Sequence, residues 1–400
     1  MNPIILSIPI FFILIAIEVT YSLVTKKTSY RSGDAFANIG CGIFEQTTGL
    51  FVKVVTVGMY TFVYEYRLFD IPTTWPFLIL LFLGVDFQYY WAHRLSHQIN
   101  LFWVGHVIHH QSEDYNLSVA LRQGALQKFF TSPFALPLAF LGFDPYWFLY
   151  ISALNTLYQF WIHTEAIDKM GWFEYIFNTP SHHRVHHGRD PKYIDKNHAG
   201  SLIIWDKMFG TFQAEEERPH YGITKPTETF NPVMAHIRPL QQLWDDVKEV
   251  HGWDKVRLLF KGPGWFPETA GGPKLPPEVP VDYKKFDVKV PIKLNAYALI
   301  QFLLTLGYVA GFLFTYSSFE LWDQITGAAW IILALIALGA LFQKSKGFVV
   351  WELLRWVALL YILSDLDSNS PVYYVSMALG AISMAYLLLT EKNLSSDETS

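Results

Sequence analysis

The sequence predicts an all-α integral membrane protein: a multi-span helical bundle with a histidine-rich cap on one side and an extra helical bundle at its C-terminal end. Three observations support this fold class. Hydrophobic residues make up 52% of the 400 residues and aromatic residues 17%, a composition typical of membrane proteins. Apolar runs of about 20 residues, the length that crosses a bilayer, recur along the chain. Most of the histidines lie between His93 and His198, beside the ends of such runs.

The first apolar run, Pro3–Val24, is predicted to be a retained membrane helix. No basic segment precedes it, and Lys26, Lys27 and Arg31 follow it where a cleavable signal peptide would have small residues. We therefore assign residues 1–33 to an N-terminal membrane helix and a basic loop.

Residues 34–261 are predicted to form the core of the protein. Two spans, Ile39–Tyr64 and Ile71–Trp91, open it, and the second runs directly into a histidine cluster. Two further apolar runs, Phe129–Phe143 and Tyr146–Ile162, are shorter. Fifteen residues rise about 22 Å as a helix, less than the roughly 30 Å of a hydrocarbon core. We interpret the pair as a hairpin that enters the membrane and returns to the same side.

Composition also divides the rest of the chain. Gly262–Pro280 is rich in proline and glycine, so residues 262–290 are predicted to be a linker. Residues 291–400 are predicted to contain four more transmembrane helices and a tail, whose role the sequence leaves open. The apolar runs of this part are Ile292–Tyr316, Trp322–Phe342, Phe348–Leu363 and Val372–Leu389.

Charged residues predict the orientation and exclude some partners. The basic loop after the first span and the loop with Lys344 and Lys346 fall on one side if the hairpin re-enters, so this side is predicted to be cytoplasmic. The membrane would be the endoplasmic reticulum in a eukaryote and the inner membrane in a bacterium. A net charge of −5 without a basic tract argues against nucleic acid. Cys41 is the only cysteine, which excludes an intrachain disulfide and a cysteine-based metal site.

Three short histidine clusters carry the chemical signal: HRLSH, HVIHH and HHRVHH. Histidines four residues apart share one face of a helix, so each cluster points several imidazoles the same way. Imidazole binds iron, zinc, copper and nickel, and one tetrahedral ion uses about four ligands, so eight imidazoles indicate two metals. The histidines of this pattern are His93, His97, His106, His109, His110, His183, His186 and His187.

A zinc hydrolase, a transporter and a set of surface histidines each fit this pattern less well. A zinc hydrolase needs about three ligands, and a transporter places its ligands near the middle of the bilayer. Eight surface histidines would not repeat one spacing. An all-nitrogen site can hold two oxygen-binding irons, which attack strong C–H bonds, and its predicted place at the membrane surface favours a lipid substrate. The sequence thus predicts a cytoplasmic, histidine-rich di-metal cap.

The order and spacing of the three clusters resemble the fatty acid hydroxylase/sterol desaturase superfamily of integral membrane di-iron enzymes. Two longer stretches, Trp91–Gln123 and Asn178–Phe212, are similar to the alkylglycerol monooxygenase family within it, as are the later YGIT and KGPGW segments. The resemblance covers most of the chain and makes residues 34–261 a fatty acid hydroxylase-like catalytic core.

The resemblance implies an activity and a ligand set. The reaction would be an O2-dependent hydroxylation of the carbon next to the ether oxygen of an alkylglycerol, and the resulting hemiacetal would collapse to a fatty aldehyde and a glycerol derivative. Two iron ions and the electron donor tetrahydrobiopterin are implied. By motif position the metal ligands are the eight histidines above, and His163 stands where related enzymes have a further ligand.

Other residues near the clusters have two possible roles each. His182 and His198 are candidates for a ligand or for a packing or supporting residue, and Asn197 for orienting a histidine or a metal-bound water. Glu113 and Asp114 could fix the N–H group of a ligand histidine or cap a helix.

The remaining candidates are weaker. Asp190 and Asp195 follow the third cluster and could support a ligand in the same way. Arg122 and Arg184 could bind a lipid headgroup or the pterin, although such arginines more often pair with local acids. Gln98 replaces an acidic residue expected in this family, which bears on pterin or substrate binding.

Two alternative functions stay open at this point. One is a sterol or fatty-acyl hydroxylase or desaturase with another electron donor. The other is a non-enzymatic membrane protein with a structural metal site, which would bind one zinc rather than two irons.

Overall fold

The computed structural model describes residues 3–26, 30–367 and 371–397, and within them all regular elements are helical. Extended pairing among these residues is limited to the isolated bridges Phe177–Leu202 and Gly188–Tyr221. The all-α prediction is therefore confirmed. The helices of the first half are α1 (Pro3–Thr25), α2 (Ser32–Tyr64), α3 (Trp75–Gln98), α4 (Asn100–His110), α5 (Gln127–Thr131), α6 (Leu136–Leu141), α7 (Pro145–Trp161) and α8 (Pro180–His186).

The later helices fall into two sets, short ones that follow the third histidine cluster and long ones at the C-terminal end. The short set is α9 (Ile204–Met208), α10 (Pro232–Glu249) and α11 (Asp254–Phe260). The long set is α12 (Ile292–Thr315), α13 (Leu321–Phe342), α14 (Phe348–Asp367) and α15 (Pro371–Asp397).

Within the described residues, four helical segments are long and apolar enough to cross a membrane, which fits an integral membrane protein: Leu6–Thr25, Ser32–Tyr64, Ile292–Ser318 and Leu321–Phe342. The predicted spans on α3, α14 and α15 are also helical. Helices α3 and α14 carry buried charged side chains, Asp86 on α3 and Glu352 and Arg355 on α14. Helix α3 also begins at Trp75, after the start predicted at Ile71.

The predicted hairpin is a broken helix followed by a continuous one. Pro133 and Pro137 divide its first arm into short helical pieces, since proline lacks the N–H group that continues a helix. Gly142, with φ of 111°, ends α6 in the left-handed conformation, and the carboxylate of Asp144 caps the start of α7. Helix α7 packs along α3 and ends just before His163. The depth of the hairpin in the bilayer stays a prediction.

The C-terminal helices share one hydrophobic core with α2. Phe36 and Ile43 of α2 pack in this core with Phe302 of α12 and with Ile331 and Leu335 of α13. The C-terminal bundle therefore packs against α2 of the first half. The division of the chain at residues 262–290 stays a prediction.

Candidate metal centre

Nine histidines meet in two buried groups, and they are the nine that the sequence marks as ligands. Within each group, one possible ligand atom from every residue lies within 4.8 Å of the others. Group 1 is His93, His97, His106, His110 and His186, and group 2 is His109, His163, His183 and His187.

Two helices, α4 and α8, supply both groups. On α4, His106 and His110 are four residues apart and face group 1, whereas the neighbouring His109 faces group 2. At the end of α8, His186 faces group 1, and His183 belongs to group 2 with His187. The last turns of α3 complete group 1, and His163 after α7 completes group 2. The two groups are therefore adjacent, because α4 and α8 contribute histidines to both of them.

Backbone carbonyl groups fix the tautomer of four rings, two in each group. A carbonyl oxygen only accepts hydrogen bonds, so the Nδ1 atom that faces it carries the proton and Nε2 keeps a lone pair. The Nδ1–O distances are 2.7 Å for His93 to His198, 2.9 Å for His186 to Lys196, 2.8 Å for His109 to Arg122 and 2.7 Å for His163 to Gln159.

In group 2, this assignment brings two lone pairs together. The Nε2 atoms of His109 and His163 are 3.3 Å apart, and neither has a proton to donate in the neutral form. Burial lowers the pKa of His109 to about 4 and that of His163 well below 6.5, so an extra proton is not retained at neutral pH. The Nε2 atom of His183 lies 3.0 Å from that of His163. Converging lone pairs of this kind need a cation.

Ring nitrogens also converge in group 1. The Nε2 atom of His106 lies 2.9 Å from that of His93 and 3.1 Å from that of His110. Among the described residues, the buried Nε2 atoms of His97 and His186 have no hydrogen-bond partner, and the same is true of His187 in group 2. Two nitrogens held about 2.1 Å from one metal ion lie roughly 3 Å apart, so both groups fit metal ions.

The further histidine candidates take different positions. His198 is buried beside group 1 and forms a third set with His97 and Asp195, whose possible ligand atoms also lie within 4.8 Å of one another. His182 belongs to no such set, and its ring packs against Phe212 at 5.4 Å.

Asn197 forms hydrogen bonds with backbone groups. Its side-chain amide donates to the carbonyl oxygens of His182 and Gln213 and accepts from the N–H group of Gln213. This bonding anchors the loop whose carbonyl groups, those of Lys196 and His198, hold two rings of group 1.

Three of the four acidic candidates do not reach a histidine of either group. Glu113 accepts from the Tyr283 hydroxyl and, at 2.6 Å, from the Phe286 N–H group. Asp114 forms ion pairs with Arg31 and Lys285, both at 2.8 Å. Asp190 pairs with His220. Charged and polar groups from distant parts of the chain pair with these acids. The expectation that they orient a ligand stays a prediction. Asp195 does reach a histidine of group 1: its Oδ1 atom is 3.4 Å from His97 Nδ1.

Both arginine candidates are buried and form hydrogen bonds within the protein. Arg122 donates to the Ile108 carbonyl and to the side chains of Asn38 and Gln111, and it thus braces the end of α4. Arg184 forms a bidentate ion pair with Glu215 at 2.7 and 2.8 Å. The Glu215 pair agrees with the local-acid alternative for Arg184. Binding of a headgroup or a pterin by these guanidinium groups stays a prediction. Gln98 ends α3 and is half-buried.

The sequence reasoning missed two buried carboxylates that support the site. Asp86 accepts from the N–H groups of Ser201 and Leu202 and from the side chains of Asn155 and Trp205, and it thus joins α3 to the segment after group 1. Asp206 accepts from the N–H groups of His198 and Ala199. An acidic residue within an apolar run, as Asp86 is, indicates a buried carboxylate with a specific role, and this pattern could have identified such residues.

Comparisons with known proteins agree with this geometry. The family model described as fatty acid hydroxylase matches residues 78–211, which include both histidine groups. No solved structure matches the chain. An ornithine lipid hydroxylase of Rhizobium tropici is 30% identical over 145 residues, which are 35% of this chain and 44% of that protein.

Two further relatives cover most of the chain. The alkylglycerol monooxygenase of Xenopus tropicalis is 40% identical over 363 residues, covering 88% of this chain and 80% of the relative. The alkylglycerol monooxygenase of Homo sapiens is 40% identical over 366 residues, with coverage of 88% and 81%. Likeness of this extent makes the chain an oxidoreductase that belongs to the alkylglycerol monooxygenase family.

Proposed function

We propose that this protein is an O2-dependent monooxygenase that hydroxylates the carbon next to the ether oxygen of alkylglycerol lipids, with two iron ions and with tetrahydrobiopterin as the electron donor. The products are a fatty aldehyde and a glycerol derivative. The observation that carries the metal part is the pair of facing lone pairs on His109 and His163, 3.3 Å apart in a buried site. The substrate follows from the names of the two alkylglycerol monooxygenases to which the chain is similar. The donor is the one that the resemblance of the sequence motifs to this family implies.

Each histidine group would hold one iron. Iron bound by nitrogen ligands activates O2 for attack on a C–H bond, which acid–base side chains alone do not break. The carbonyl groups that accept from Nδ1 keep four rings in the orientation and tautomer that a metal ligand needs. Burial keeps the imidazoles neutral and excludes bulk water from the reacting carbon.

The surroundings of the site suit a lipid. Helix α1 leaves Ile10, Ile13 and Ile17 exposed, and α7 leaves Leu149 and Leu154 exposed, as expected for helices that contact lipid. We place the histidine groups on the cytoplasmic face, in the endoplasmic reticulum if the organism is a eukaryote and in the inner membrane if it is a bacterium. A long-chain substrate would then extend from the bilayer towards the metals.

The test is ether cleavage paired with iron quantitation. The purified protein in lipid nanodiscs is given a long-chain alkylglycerol, O2 and tetrahydrobiopterin, and the released aldehyde and the bound iron are measured. We expect aldehyde formation that depends on the pterin and about two irons per chain. The matched control is His251→Ala, which removes an exposed histidine outside both groups and leaves the activity unchanged.

Three different results would assign a different function. Aldehyde that appears only with a reductase or a cytochrome would refute the pterin as donor. Hydroxylated sterol or acyl product without ether cleavage would refute the substrate. One tightly bound zinc and no turnover would refute the di-iron site.

A further inference from the structure

His198 has an unusual environment for a buried imidazole. Its side chain is fully buried, and neither ring nitrogen has a hydrogen-bond partner among the described residues. The nearest carboxylate oxygen, Oδ1 of Asp206, is 3.7 Å from Nδ1, and it already accepts from the His198 N–H group and the Thr211 hydroxyl. An unpaired buried polar group is unfavourable, so these nitrogens are available for a ligand.

The backbone around His198 presents two ligand side chains together. Asp195 and Asn197 have φ values of 58° and 54°, in the left-handed region that residues other than glycine rarely adopt. This conformation lets the carbonyl groups of Lys196 and His198 bind rings of group 1 while Asp195 approaches His97. Strained backbone of this kind is common at binding sites.

His97 belongs to two sets of possible ligands. Its Nδ1 atom lies 3.4 Å from Asp195 Oδ1, and its Nε2 atom has no partner among the described residues. It lies in group 1 and also in the set with Asp195 and His198. A neutral imidazole has one lone pair, so His97 serves one set at a time.

We propose that His97, Asp195 and His198 form an outer cation site through which a divalent ion enters group 1. Two imidazoles and one carboxylate are a donor set for Fe²⁺, Co²⁺ or Zn²⁺. The Asp195 side chain is 47% exposed, whereas group 1 is buried, so the outer site is the solvent-accessible one. In this arrangement His97 would hold the ion through Nδ1 in the outer site and through Nε2 in group 1. This inference rests on the proposed function, because it assumes that group 1 binds a metal.

The experiment measures metal uptake rather than turnover. Full-length protein in detergent is freed of metal with a chelator, Co²⁺ is added, and bound cobalt is followed by metal content and visible absorption. We expect Asp195→Asn and His198→Phe to reach the wild-type content of about two ions per chain at least ~10-fold more slowly. Asp190→Asn, which removes a carboxylate that pairs with His220 in the same loop, keeps the wild-type rate.

Each other outcome has a distinct meaning. Wild-type uptake rates in both variants would overturn the outer site. A lower final content of Asp195→Asn with an unchanged rate would also overturn it and would make Asp195 a residue that only orients His97. If His198→Phe does not fold, the half-exposed Asp195→Asn decides the test alone. Wild-type protein that binds no cobalt would instead refute the proposed metal centre, and the outer site with it.

Discussion

Two buried polar clusters in this protein differ in one respect, the completeness of their hydrogen bonding. In the C-terminal bundle, Arg355 donates to Glu352 and Gln301, Tyr297 donates to Glu352, and Gln301 donates to Ser383. Among the described residues, every buried polar side-chain atom of this network has a partner. The two histidine groups instead leave several buried nitrogens without one.

This difference indicates the role of each cluster. The network of the C-terminal bundle joins α12, α14 and α15, and its hydrogen bonds are complete without a ligand. A cluster whose lone pairs converge on one another is stable only with a cation between them. The number of buried polar residues would not distinguish the two clusters, whereas the number of polar atoms without a hydrogen-bond partner does. Variants in each cluster can therefore test the contrast.

The largest effect is expected from His109→Ala in group 2. Loss of this imidazole removes a lone pair that faces His163, so we expect bound iron to fall from about two per chain to about one. Ether cleavage should fall more than ~100-fold, beyond the effect of losing a residue that only supports a ligand. Iron analysis and the aldehyde assay check both. Unchanged iron and activity would remove His109 from the ligand set.

Breaking the C-terminal network should act on stability without acting on the metal. Arg355→Leu leaves the buried Glu352 carboxylate without its charge partner, which costs about 3–5 kcal/mol. The double variant Glu352→Leu with Arg355→Leu should be less destabilised than the single one, since no charge is left unpaired. Unfolding in detergent measures both, and the folded fraction should keep its iron. Loss of iron from folded protein would contradict the separation of the two clusters.

Local spacing marks eight of the nine grouped histidines, and the family resemblance marks His163. Histidines four residues apart on α3 and α4 face together as helix geometry requires. Spacing did not divide them between two groups. His109 and His163 are 54 residues apart in the chain, and their contact depends on how α7 packs against α3.

The supporting residues were harder to predict for the same reason. Glu113 and Asp114 are close to His110 in the sequence, yet they bind Arg31, Tyr283 and Lys285 from distant segments. Sequence proximity gives no information on such partners. Carbonyl groups that fix the rings are also invisible in a sequence, because every residue has one.

A lower pH should decrease the stability of the metal-free protein, because the buried histidines of the two groups resist protonation. The pKa of His109 is about 4 in the folded protein, compared with 6.5 for an unperturbed histidine. As the pH falls from 6.5 to 4, the unfolded chain gains a proton that folded His109 does not, so the free energy of unfolding decreases. The loss reaches about 3 kcal/mol at pH 4 for this residue alone. Thermal unfolding against pH checks it, and His109→Ala should show a weaker dependence. An equal dependence in both proteins would contradict the assignment.

The smallest effect is expected where the predicted linker contacts the segments that follow the histidine clusters. Tyr283, in the predicted linker, donates to Glu113 just after α4, and the guanidinium group of Arg189 lies 4.5 Å from the centre of its ring. One tyrosine thus contacts the segments after the second and third histidine clusters. Tyr283→Phe keeps the ring and removes the hydrogen bond, so we expect a loss of about 1 kcal/mol in unfolding free energy with iron unchanged.

Removal of the Tyr283 ring separates packing from hydrogen bonding. Tyr283→Ala also loses the contact with Arg189, so turnover should fall further than in Tyr283→Phe if the linker holds the two segments in place. Tyr175, an exposed tyrosine beside Lys207, provides the matched control as Tyr175→Phe. Equal turnover in Tyr283→Ala and the wild type would mean that the histidine groups keep their geometry without the linker. Loss of turnover with full iron content would instead show that the C-terminal part of the chain acts on the site through this contact.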